Sequence, residues 1–108
     1  MQQDRRKEPR EHLAMPAKLS RLSHDLSGIV RDLSTAGCKI EVAGLQLEPG
    51  NRVLIRPRGF ESLLGDVIWS KDGQAGIQFD EALDTTQVGL FCRLYPDPAT
   101  AIMLDVAA

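Results

Sequence analysis

Asp32-Leu33-Ser34-Thr35-Ala36-Gly37-Cys38-Lys39-Ile40-Glu41-Val42 joins a polar turn to the cleanest period-two alternation in the chain. Cys38, Ile40 and Val42 alternate with Lys39 and Glu41, the pattern of a strand with one buried and one wet face. Upstream, Leu26 to Leu33 reads as a strand in which Gly28 suggests a bulge or bend. Ser23-His24-Asp25 marks the turn before it. Ala17 to Leu22 alternates as a first strand, with Pro16 at its start, where no ladder donor is needed.

Downstream, Glu48-Pro49-Gly50-Asn51 is a strong turn signal. Val53 and Ile55 mark a fourth strand ending before Pro57, and Phe60 to Trp69 a fifth, interrupted by Gly65. Lys71-Asp72-Gly73-Gln74 predicts a hairpin, since Asp-Gly accepts the positive φ angles of a two-residue loop. Ala75 to Phe79 returns as the sixth strand. The period then changes: Asp84 and Gln87 fit a capping arrangement, and Val88, Phe91, Cys92 and Tyr95 form one helical stripe. Pro96 and Pro98 stop the helix. Residues 99–108 read as a second short helix or a tail. Six short strands at close spacing favour a small antiparallel barrel or sandwich, with the helix over one end or face.

At 108 residues the chain is one domain with one modest core. Net charge is only −2, so the total does not indicate a general polyanion binder. The distribution is more telling. Residues 1–10 carry four basic and two acidic groups, while residues 80–108 carry one basic and five acidic groups. A local basic site on a mildly acidic body suits one compact anion better than a long nucleic acid track. Cys38 and Cys92 fit no metal-ligand spacing and are expected as buried thiols in a reducing cytoplasm. The N-terminus lacks the apolar stretch of a signal peptide, and no run approaches the ~20 apolar residues of a membrane span. A cytoplasmic protein without membrane insertion is expected.

Two clusters carry the chemistry. Arg5-Arg6-Lys7-Glu8-Pro9-Arg10 is too polar to enter a core and is expected as a flexible arm, spanning residues 1–12. Arginine forks grip phosphate bidentately and also meet the O6 and N7 acceptors of guanine. Arg6 and Arg10 lie four residues apart with Pro9 stiffening the link, so they can clasp a ligand from two sides. The Asp32 turn supplies the complement: a carboxylate accepts from the N1 and N2 hydrogens of guanine, and Ser34 adds a hydroxyl. Gly37 removes a side chain where a backbone turns sharply or a ligand approaches. The plainer reading is a solvated terminus and a turn in which Asp32 and Ser34 bond their own backbone.

The pair RxxxR at Arg6 to Arg10 and DxSxxG at Asp32 to Gly37, about two dozen residues apart, resembles the PilZ domain family. Gly65, Val67-Ile68-Trp69 and Gly76-Ile77-Gln78-Phe79 resemble its closing strands, so the likeness runs from Arg5 to about Leu94. The resemblance implies a six-stranded antiparallel β-barrel with a C-terminal helix over residues 13–95, followed by a tail or short helix at 96–108. It implies a receptor for cyclic di-GMP, with no cofactor and no catalysis, that closes its arm over the ligand and signals to a partner protein. Carried over by position, Arg6 and Arg10 would grip guanine and phosphates, Asp32 and Ser34 would read the guanine edge, and Gly37 would shape the turn. Arg5 offers a third guanidinium, favouring two stacked ligand molecules over one, and Arg31 stands beside the turn.

Other readings are weaker. His12 and His24 have no partners at metal-ligand spacing, and no nucleophile turn accompanies Ser34, so neither a metal site nor an enzyme is expected. Trp69, flanked by Val67 and Ile68, reads as core or rim packing rather than a base platform. Arg52, Arg56 and Arg58 read as a solvated strand face. Two alternatives remain: a protein-interaction module of the same fold, working through its apolar C-terminal segment, and a barrel for single-stranded nucleic acid. The second needs several exposed aromatics, and only 5% of the chain is aromatic.

Overall fold

The computed structural model describes residues 10–98 except Ser23 and Leu45. Arg5, Arg6 and the segment 99–108 lie outside the described residues. Six strands, β1 (Glu11–Arg21), β2 (His24–Leu33), β3 (Gly37–Val42), β4 (Arg52–Pro57), β5 (Leu63–Lys71) and β6 (Gln74–Phe79), precede one helix, α1 (Thr85–Leu94). All pairings are antiparallel, and the strands close into a barrel in the order β1-β2-β3-β6-β5-β4. Closure removes exposed sheet edges.

Alternation built the barrel as expected. Leu13, Met15, Ala17 and Leu19 of β1, Ile40 and Val42 of β3, Val53 and Ile55 of β4, and Ala75, Ile77 and Phe79 of β6 fill its interior. Asp72 and Gly73 both have positive φ (54° and 78°), so the predicted Asp-Gly hairpin joins β5 to β6. Asp84 caps α1: its carboxylate accepts from the Gln87 amide at 2.8 Å, while the Gln87 side chain accepts from the Asp84 amide. Val88 and Phe91 turn into the core, where Phe91 meets Phe60 edge-on at 4.7 Å. Cys38 is buried as expected, but Cys92 is only half-buried on the flank of the helix.

Three local expectations are corrected. First, β1 begins at Glu11, so Glu11 and His12 belong to the barrel and Pro16 lies within the strand. β4 pairs only with Ala17 to Ser20, which leaves one side of β1 open at Pro16, where a missing donor is tolerated. Second, β2 keeps register at Gly28; its bulge falls at Arg31, between the pairs Val30↔Ile40 and Asp32↔Lys39. Third, Gly65 does not interrupt β5, whose bulge falls at Ile68, between Val67↔Ile77 and Trp69↔Gly76. Arg52 and Arg56 lie on the expected solvated strand face, where Arg52 pairs with Asp66 and Asp80 and Arg56 with Asp25.

β1 also breaks register with β2 between His12 and Met15. There the Ala14 amide donates instead to the Tyr95 carbonyl at 2.9 Å, and Leu13 bridges to Pro96. The end of the helix is thereby fastened to the root of β1.

Candidate ligand-binding site

The hairpin of β1 and β2 explains why the two sequence clusters meet. Glu11 pairs with Leu33 and His12 with Asp32, so the residue preceding β1 comes alongside the residues that follow β2. Separation by about two dozen positions is what an antiparallel hairpin folds into adjacency. Arg10, the first described residue, reaches Asp32: its Nη1 donates to Oδ1 at 2.6 Å. Lys39, opposite Asp32 on β3, brings its Nζ to 3.8 Å from Oδ2.

The bulge at Arg31 decides which way the carboxylate points. Gly28 and Val30 face inward, and unbroken alternation would send Asp32 the same way. The extra residue shifts the phase, so Leu33 enters the core and Asp32 joins the outer row with Lys39. Asp32 is nonetheless only 7% exposed, because Arg10 and Lys39 cover it. Removing either cation would leave a shielded anion short of a partner. Oδ2 has no hydrogen bond among the described residues, so it remains able to accept one.

Ser34 sits beside Asp32 and is almost wholly buried. Its Oγ accepts from the amides of Ala36 and Gly37, each at 3.2 Å, so the hydroxyl holds the turn together. Gly37 is demanded by strand packing: a Cβ there would lie 2.1 Å from the Ile77 carbonyl oxygen. Arg31 turns away to Glu41, its Nε donating at 3.0 Å. Burial, reinforced by the charge of Asp32, pushes the Cys38 thiol far up, so it stays protonated beneath the site.

Two residues extend this surface: Lys39, to which the sequence assigns no site role, and Trp69, which reads in sequence as core or rim packing. Asp32 pairs with Lys39, Lys39 with Gly76, and Gly76 with Trp69, placing all four on one outward row. The Trp69 indole lies over Gly76 so closely that a Cβ at Gly76 would fall 2.2 Å from its Nε1. Trp69 is 39% exposed, an aromatic face at the end of the row. The bulge at Ile68 puts it there; regular alternation would have turned it inward beside Val67. The outward position of Lys39 was legible in the alternation, but its register with Asp32 was not. For Trp69 no sequence signal marks the change of phase.

The site thus offers a carboxylate flanked by two cations, with an aromatic face along the same row. Among the described residues no cluster of His, Cys, Asp or Glu is able to hold a metal ion, and no helix is long and apolar enough to cross a membrane. Comparison with curated proteins returns no match. Among solved structures, the PilZ domain of CeSA from a cellulose-synthesizing bacterium is similar, with a TM-score of 0.55 and 21% identity over 76% of this chain and 88% of that one. At that identity the likeness speaks for the fold alone. The family model of the PilZ domain matches residues 4–95, taking in both motifs, the whole barrel and the helix. The chain belongs to the PilZ domain family.

Proposed function

We propose that the chain is a non-catalytic receptor for cyclic di-GMP, gripping the nucleotide between residues 1–10 and the outer row of the barrel. The observation that carries this reading is the Arg10–Asp32 pair, because it holds the last arginine of RxxxR against the carboxylate of DxSxxG. Arg6 and Arg10 clasp the phosphates and the acceptor edge of a guanine, while the Oδ2 of Asp32 accepts from its N1 and N2 hydrogens. Lys39 offsets the ligand's charge, and Trp69 offers its exposed face to a base. Arg5 adds a third guanidinium, which favours two stacked nucleotides. Ser34 contributes by fixing the turn. Ordering the arm over the ligand creates a surface for a downstream protein.

Calorimetric titration with cyclic di-GMP tests this. Arg10→Ala is expected to weaken binding by about 2 kcal/mol or more, roughly thirtyfold. Wild-type affinity in that variant sinks the assignment, and the same titration reads whether one or two nucleotides bind. A second reading has one observation in its favour: Ser34 and Gly37 already have structural duties in the turn and against β6. On that reading the motif shapes a protein-interaction module, and the titration of the wild-type chain is flat.

A further inference from the structure

We infer that the groove behind the Asp32–Gly37 turn is a docking site for a basic, apolar segment of a partner protein. The groove, of about 610 Å³, opens between the β4–β5 loop, the end of β6 and α1. Its floor is apolar, with Phe60, Leu63 and Phe91, and its rim is acidic, with Glu61, Asp80 and Glu81. Asp80 is engaged by Arg52, but Glu61 and Glu81 have no ion-pair partner among the described residues. An apolar trough with two uncompensated carboxylates on its lip is complementary to aliphatic or aromatic anchors spaced by lysine or arginine. The chain beside it sharpens that preference, since Asp80 to Gln87 carries Asp80, Glu81 and Asp84 and no basic residue.

The groove is also built onto the turn. The Phe79 amide donates to the Ala36 carbonyl and the Leu83 amide to the Thr35 carbonyl, each at 2.8 Å. Phe79 and Leu83 line the groove, so its wall and the rear of the turn are one hydrogen-bonded piece. A partner seated here lies against the chain bonded to Thr35 and Ala36, in a groove lined by none of Asp32, Lys39, Gly76 and Trp69. The site goes beyond the nucleotide reading and does not depend on it.

The test uses the full chain without nucleotide and a synthetic peptide of about twelve residues alternating lysine with leucine and phenylalanine, a length matched to groove recognition. Two analogues accompany it, one with glutamate for lysine and one with serine for the apolar residues. Amide shifts in ¹⁵N spectra are expected to cluster at Leu63, Glu81 and Gln87, with a submillimolar Kd for the first peptide and at least tenfold weaker binding of both analogues. Glu61→Gln with Glu81→Gln is expected to weaken the first peptide about tenfold while Tm is unchanged. Equal binding of the serine analogue, shifts confined to other surfaces, or no shifts at millimolar peptide overturns the proposal. So does tight binding seen only after residues 1–9 are removed, which would make the chain's own arm the occupant.

Discussion

Gly37 and Gly76 both occupy positions where a Cβ has no room, but for different reasons, and the difference is measurable. At Gly37 the obstacle is the Ile77 carbonyl at 2.1 Å, part of the β3–β6 ladder itself. Gly37→Ala must spread two strands, and urea denaturation is expected to show a loss of at least about 2 kcal/mol. At Gly76 the obstacle is the Trp69 indole, a side chain able to rotate away. Gly76→Ala is expected to destabilise less but to shift the fluorescence of Trp69, the only tryptophan, toward that of an exposed indole. A stability loss at Gly76 equal to that at Gly37, with emission unchanged, would contradict the stacking of Trp69 on this glycine. Residue types alone could not separate the two cases. The sequence reading allowed Gly37 a turn or a ligand's approach, whereas its neighbour across the sheet is what requires it.

At the scale of elements, the strands and helix were legible because alternation, Asp-Gly and the Asp84–Gln87 cap each report local physics. Bulges were not legible. The extra residues at Arg31 and Ile68 have ordinary compositions, and only pairing with a neighbouring strand reveals them. Since both bulges re-aim side chains onto the outer row, the same limit hid the register of Lys39 with Asp32 and the outward turn of Trp69. Ion pairs between elements were hidden likewise: Arg52 of β4 ties to Asp66 of β5 and to Asp80 just after β6. Its hydrogen bonds hold the Asp80 carboxyl below the usual range. A depressed folded value means that the stabilisation is fully present above the unfolded pKa of about 4 and is lost as pH falls through the lower folded one. Arg52→Gln is therefore expected to flatten the acid side of the stability profile below about pH 4, read from urea midpoints at successive pH values, and to change its slope little above pH 5. An acid limb as steep as that of the parent would remove this pair from the account. The effect is small, because the groups are exposed and solvent screens them.

For the whole molecule, the proposed division of labour between residues 1–9 and the barrel gives the broadest prediction. Among the described residues every strand and the helix lie within Glu11–Leu94, and no core residue precedes Leu13. Deleting residues 1–9 is expected to leave the thermal transition within a few degrees of the parent while abolishing detectable cyclic di-GMP binding, since Arg5 and Arg6 go with it. A large fall in Tm would assign the arm a structural role that its composition does not suggest. The clasp where Ala14 meets Tyr95 and Leu13 meets Pro96 has a mechanical meaning as well. The chain enters and leaves the barrel through one doorway, so the domain could be spliced into a loop of a host protein without straining either. A pull on its two ends would load that clasp like the first tooth of a zip, together with the outermost rungs of the barrel, Glu11 against Leu33 and His12 against Asp32.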